Sequence, residues 1–528
     1  MAEAGLTATM GSVSIIANGF LLACDAANRG GRFHLLIRDG RIADIAGNLE
    51  ALTGQYPGVP LLDATGMLVV PGFVNAHFHG DSFLHRERTF GRSFGSWGAD
   101  RAYTEACERL LDASAEEDLT AVYTAASLAH LLSGTTTVGE YGPPVDARLF
   151  VPMLQAIDRT GLRAAVSLQN WEQIRTAGDM DHGRPACFIN LGDPSDFTVY
   201  TFENLVRTAR EKKLPLLVHM AELREEGEHI RKYYRKDLMA ALRDFGVLAP
   251  GTLVVHANHC TDAEVQLAAE KGIPVVMCPR SAALKQTGYP ALRSLVARGV
   301  FLCLGSDWGS ADMMEEMRFL ARLPLLIPGM PDVRPMDIVR MATINGAYAL
   351  GVATDTGSIE RGKYADLVLF DLADVRLPFV HDHPGGEELA SLLVHHLDAR
   401  NIARVLVKGK VVVQQGAAVG FPGRDAAVAL RRTVERMYPR TGTPAPDEMP
   451  GRAKPKILPF AGEPRSETEQ GGFEEGTPPP RADRQEPKVQ TPEAPEPRPR
   501  GTEASPAHLP ELSKDVRRVF GEDDDAQE

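Results

Sequence analysis

A (β/α)8 barrel, carrying a small β-sandwich domain assembled from both chain ends, is the fold this sequence predicts, and three observations predict it. Between Pro71 and Leu350, short apolar runs alternate with helical stretches, the signature of successive βα units. Strand-forming segments stand on both sides of that alternation. Beyond Thr443 the chain turns to proline and acid and cannot bury enough apolar surface to offset its entropy. The chain therefore divides into a sheet domain from residues 1–70 and 353–425, a barrel at 71–352, a connecting helix at 426–442 and a disordered tail at 443–528.

At the front, VSIIANGFLLA and FHLLIRDGRIADIAG read as strands, with Asp39-Gly40 as a two-residue hairpin turn. ADLVLFDL and RVLVKGKVVV repeat that chemistry after the barrel, the second folding back at Lys408-Gly409. Two all-β pieces at opposite ends most simply form one domain with the barrel inserted between them. The eight barrel strands are read as FVNAHFH, TTTVGEY, RAAVSLQ, FTVYTF, PLLVHMAE, TLVVHANH, PVVMCP and FLCLGSD. In such a barrel the chemistry gathers where the strands end.

With 528 residues of which 44% are hydrophobic, the chain can build a large core. A net charge of -13 argues against a nucleic-acid surface. Much of that charge is in the tail, where 12 Lys and Arg face 19 Asp and Glu. Within it Leu509 to Phe520, with Leu512, Val516 and Val519, suits a short amphipathic turn able to dock on a protein. No basic leader and no run of about 18 apolar residues occurs, so neither export nor a membrane span is expected. Six scattered cysteines without a CxxC fit reduced thiols in a cytoplasm.

The strand ends carry the chemistry. His77 and His79 close the first, and on a strand residues i and i+2 share a face, so both reach one ion. His219 and Glu222 end the fifth, His256 the sixth and Asp307 the eighth. Hydrolysis at one divalent metal needs this set: imidazoles and a carboxylate as ligands, and a separate acid/base group. A divalent cation lowers the pKa of its water toward about 7, making hydroxide available.

The motifs PGFVNAHFH, GTTTVGE, VHMAE, VVHANH, CPRS, LGSD and GSIERGKYADLVLFD together resemble the amidohydrolase superfamily, in particular its chlorohydrolase and deaminase branch. The resemblance implies that His77, His79, His219 and Asp307 bind one zinc or iron ion per subunit, while Glu222 and His256 act on water and substrate. Glu222 would then take the proton of the water and pass it to the leaving group, His256 would stabilise developing charge, and Asp307 would be catalytic too by receiving the nucleophile's proton. It also implies a homo-oligomer, a dimer or larger. Two-metal members carry a carboxylated lysine at the end of the fourth strand; Phe188 to Phe202 holds no lysine, which favours one ion. The reaction expected is hydrolytic loss of ammonia from an amino-substituted heterocycle. A cyclic amide, an amidine or guanidine, or a carbon-halogen bond would suit the same centre, and a catalytically silent scaffold is the reading from another class.

Substrate contacts are less determined. Trp97, Trp171 and Trp308 fall in loops at the catalytic face, where they either stack a flat ring or wall the mouth. Arg86, Arg88 and Arg92 follow the first strand, and Lys285 follows CPRSAAL; each would meet an anionic substituent or simply be solvated. Relatives commonly read PHAPYT where this chain has PSDFTVYT, and asparagine where Ala282 stands, so no relative's specificity transfers directly. His381 and His383, in VHDHPGG, form a second His-x-His pair, for which a structural or solvent role is expected.

Overall fold

Eight parallel strands, paired in sequence order, form the central sheet of the computed structural model. It describes residues 13–439 apart from 144, 146, 179–185, 193–198, 250, 379 and 382. The strands are Phe73–Phe78, Thr135–Glu140, Arg163–Leu168, Ala186–Asn190, Leu216–Met220, Thr252–His256, Val275–Met277 and Leu302–Leu304. The barrel closes where the eighth meets the first: the Asp307 N–H donates to His77 O at 2.9 Å and the His79 N–H to Asp307 O at 2.9 Å. Asn75 stitches the same seam, its Nδ2 donating to Ser306 Oγ at 2.7 Å and its Oδ1 accepting from Ser306 N at 2.9 Å. Gly305 is obligatory there, because a Cβ would lie 2.9 Å from His77 Cβ, N and O.

Alternation along each strand divides the core. On the fifth, Leu216, Val218 and Met220 face the outer layer while Leu217 joins Val74, Leu253, Val255 and Val276 in the interior. His219 shares the inward face with Leu217, one step nearer the mouth. The connecting helix Asp262–Glu270 begins with a reciprocal side-chain cap, in which Thr261 Oγ1 accepts from Glu264 N and Glu264 Oε2 accepts from Thr261 N at 2.8 Å.

The fourth strand corrects the sequence reading. It is Ala186–Asn190, not FTVYTF, whose first two residues are outside the described set and whose remainder opens the helix Val199–Lys212. Valine, tyrosine, threonine and phenylalanine suit a strand locally, but a 14-residue helix was available to them as a unit, and ACFIN supplies the apolar run a buried strand needs.

Both chain ends build one nine-stranded sheet. Met67–Pro71 pairs with Val13–Leu22 on one side and with Leu367–Asp371 on the other, joining the two halves. The predicted hairpin turns meet: Asp39, Gly40, Lys408 and Gly409 all have positive φ, and a Cβ on Gly40 would lie 2.4 Å from Lys408 O. The helix expected at 426–442 runs Gly423–Met437 and packs on Glu116–Leu132, where Thr433 Oγ1 donates to Asp118 Oδ1 at 2.8 Å. No described helix is long and apolar enough to cross a membrane. All six cysteines are free. The tail, with its 509–520 segment, lies outside the described residues.

Candidate metal centre at the barrel mouth

Four imidazoles converge where the first, fifth and sixth strands end. His77 Nε2 lies 3.1 Å from His219 Nε2, and the ring centroids of His77 and His79 are 5.0 Å apart. Asp307 Oδ1 sits 3.7 Å from His77 Nε2 and 3.4 Å from His79 Nε2. His256 Nε2 lies 3.3 Å from Glu222 Oε2, and ligand atoms of Glu222, His256 and Asp307 all lie within 4.8 Å of one another. Each side chain reaches this point from a strand end, so six residues spread over 231 positions of sequence share one small volume.

Backbone strain helps aim them. Ala221, His256, Ala257 and Asp307 all have φ between 50° and 80°, a left-handed conformation costing non-glycine residues on the order of 1–2 kcal/mol each. His256 follows the inward-facing Val255, so simple alternation would turn it toward the helices; its φ of 80° goes with a ring that instead lies 5.9 Å from His77. The turn is held by Ala257 N donating to Met220 O at 2.9 Å and His259 N to Ala221 O at 3.0 Å.

The electrostatics suit a cation. Burial, the largest cause, pushes all four imidazoles below the usual histidine range, keeping them neutral and able to donate lone pairs. Burial alone would raise Asp307, but the Lys285 ammonium and the His77 ring outweigh it and hold the carboxyl well below the usual range. His77 Nδ1, His256 Nδ1 and Asp307 Oδ1 are buried polar atoms with no hydrogen-bond partner in the structure. Orphaned groups of that kind are costly unless an ion or water serves them. The residues present thus fit a divalent metal: His77, His79, His219 and Asp307 as ligands, with Glu222 and His256 beside them.

Lys285 belongs to this cluster, and its burial departs from the solvated alternative read for it. Its Nζ lies 2.5 Å from Glu222 Oε1 and 2.6 Å from Asp307 Oδ2, and the side chain is almost fully buried. Ser281 Oγ also donates to Asp307 Oδ2 at 2.7 Å. Trp308 is close, its ring 5.4 Å from His79, but it is locked, with Nε1 donating to Thr89 Oγ1 at 2.9 Å. Trp97 packs 4.9 Å from Trp308 and is equally buried, so these two form a wall. Trp171 is half exposed at the start of Trp171–Gly178. Arg92 pairs with Asp100 at 2.5 Å, Arg88 lies 3.7 Å from Asp100, and Arg86 lies 4.0 Å over the Phe83 ring. His381 and His383 join none of the metal-capable clusters found among the described residues.

Sequence reasoning missed Tyr141. Its ring centroid lies 4.4 Å from His79, 4.5 Å from His219 and 5.5 Å from His77, packing the histidines from one side. Its hydroxyl accepts from Asn190 Nδ2 at 2.8 Å. The available signal was its place as the last residue of TTTVGEY, at a strand end. Glu140 beside it is fully buried, one oxygen accepting from the N–H groups of Gly80 and Gly142 at 2.9 Å each and from the Tyr123 hydroxyl at 3.3 Å. It therefore fixes the turn that follows His79.

Comparison with known proteins places this architecture. Residues 68–412 match the Amidohydrolase family. A 5-methylthioadenosine/S-adenosylhomocysteine deaminase of Moorella thermoacetica is 28% identical over 425 residues, covering 77% of this chain and 95% of the relative. An adenosine deaminase from Xanthomonas campestris with bound zinc superposes with a TM-score of 0.71 at 23% identity, over 80% of this chain and 98% of that one. A zinc-complexed atrazine chlorohydrolase from Arthrobacter aurescens superposes with a TM-score of 0.69 at 20% identity, over 80% and 99% of the two chains.

Proposed function

We propose, because this chain belongs to the amidohydrolase family, that it is a metal-dependent aminohydrolase removing ammonia from an amino-substituted heterocycle of the adenosine type. One observation carries the reading: Asp307 Oδ1, buried and without a hydrogen bond, faces His77 and His79 while Glu222 and His256 stand within reach of the same point. The substrate class is supported by the names of the relatives, and zinc by the ions bound in the two solved neighbours.

In this reading His77, His79, His219 and Asp307 hold one zinc or iron ion. Bound there, the ion supplies a polarised water and an electrophilic contact for the substrate. Glu222 would take up a water proton at Oε2 and return it to the departing nitrogen, so that the amine leaves as ammonia. His256, kept neutral by burial, hydrogen-bonds the oxygen developing on the ring carbon and stabilises its charge. The Trp97 and Trp308 wall excludes bulk water on one side, which strengthens these interactions.

Metal analysis of the purified protein, followed by an ammonia-release screen on adenosine, 5′-deoxyadenosine, 5′-methylthioadenosine, S-adenosylhomocysteine and guanine, tests the reading. About one ion per chain is expected, with ammonia released from an adenosine-type amine and activity lost on chelation. Ammonia release unchanged by full removal of the metal would overturn it, as would a protein unable to take up zinc or iron.

A further inference from the structure

Of the clustered side chains described above, Lys285 has no part in the proposed mechanism. Lys285 ends the helix Pro279–Lys285, which follows the seventh strand and turns its last residue back into the site. The ammonium is engaged on three sides: Glu222 Oε1 at 2.5 Å, Asp307 Oδ2 at 2.6 Å, and the Phe94 ring, whose centroid is 4.8 Å away. Both carboxylate contacts are with groups of the cluster itself.

The two oxygens of each carboxylate are thereby divided. Asp307 Oδ2 takes Lys285 and Ser281, while Oδ1 faces His77 and His79. Glu222 Oε1 takes Lys285, while Oε2 faces His256. Two buried carboxylates beside a common point repel each other, and each is free to rotate its oxygens into the wrong role. A cation placed between their outer oxygens removes both problems without occupying the side on which the imidazoles converge.

We propose that Lys285 is a positioning residue of the reaction: its ammonium bridges Glu222 and Asp307, so that Glu222 presents Oε2 for proton transfer and Asp307 presents Oδ1 for the metal. The assignment rests on the hydrolase reading of this site. Lys285 touches neither metal nor substrate; it acts through the two carboxylates.

The test uses the full-length protein and the variants Lys285→Met and Lys285→Ala, each stripped of metal and titrated with zinc chloride. Lys285→Met keeps the histidine set and takes up zinc. Its zinc-induced rise in Tm exceeds that of the wild type, because without zinc its carboxylates have no counter-charge. With the best ammonia-releasing amine of the screen, kcat of the zinc-loaded Lys285→Met falls about 100-fold, the scale of a misplaced reacting group, while KM stays within about three-fold. Ethylammonium restores turnover to Lys285→Ala, which leaves room for it, and not to Lys285→Met. A Lys285→Met protein matching the wild type in both zinc response and kcat overturns the proposal, as does a loss confined to KM, which would put Lys285 on the substrate. If Lys285→Met does not fold, zinc-loaded Lys285→Ala decides alone: no gain with ethylammonium overturns the proposal. A wild-type protein that takes no zinc or iron sinks the hydrolase reading, and the proposal with it; a wild type that binds metal while the variants behave like it sinks the proposal alone.

Discussion

Glu222 and His219 lie three positions apart on one strand end, and because the proposed mechanism gives them different duties, their substitution should separate them. Glu222→Gln keeps the metal and lowers kcat by about 10²–10⁴-fold, the usual contribution of a general acid-base group; metal content and turnover measured on one sample check this. His219→Ala instead loses the ion, read as metal per chain after dialysis, because a three-ligand set binds far more weakly than four. Tyr141→Ala leaves the ligands in place but removes the ring packed on three of them, and zinc should dissociate about 10–100-fold more readily. At this scale the six ligand and acid-base candidates were legible because each closes a recognisable strand. Tyr141 was not, since an aromatic at a strand end is common in any barrel. Lys285 was visible as a residue but not as a partner: which way a seven-residue helix turns its last side chain is settled by packing, not by its own sequence.

At the level of elements, the seam between the first and eighth strands decides whether the ligands meet. Gly305→Ala forces a methyl against His77, and overpacking of that kind costs about 1–3 kcal/mol; a lowered Tm together with reduced zinc content is expected. The turn after His79 depends on Glu140, whose carboxyl burial pushes up to about 8, with the N–H groups of Gly80 and Gly142 acting the other way. A folded-state value above the unfolded one near 4.3 means a contribution fully present below that unfolded value and lost as pH rises through about 8. The wild-type Tm should therefore drop between about pH 4.3 and about 8 more than that of Glu140→Gln and level off above it, measured by thermal melts across the range. Seven of the eight barrel strands could be read from apolar runs alone. The fourth could not, because FTVYTF satisfies local strand preference while its neighbours commit it to a helix.

For the whole molecule, the barrel and the shared sheet form one body, and the helix Gly423–Met437 is part of it. Arg109 Nη1 donates to Met437 O at 2.6 Å, and His85 Nδ1 is 2.6 Å from the Tyr438 hydroxyl, with the His85 ring stacked 6.3 Å from Trp308. Ending the chain at residue 442 should leave zinc uptake and turnover unchanged, whereas ending it at 422 should lower Tm and impair both; melts and assays of the two truncations check this. The joint sheet was legible from the strand-forming segments at both chain ends, within which Asp39-Gly40 and Lys408-Gly409 mark the turns. That the turns rest on one another was not, because contact between residues so far apart follows from assembly.

The pairing of Met67–Pro71 with Leu367–Asp371 has a consequence for biosynthesis. As the chain leaves the ribosome, the inner edge of the N-terminal sheet waits for its partner while roughly 300 further residues are made, about 15–60 s at ordinary elongation rates. During that interval an apolar strand edge is open to other nascent chains, so the cell's chaperones, rather than the native contacts, must guard it.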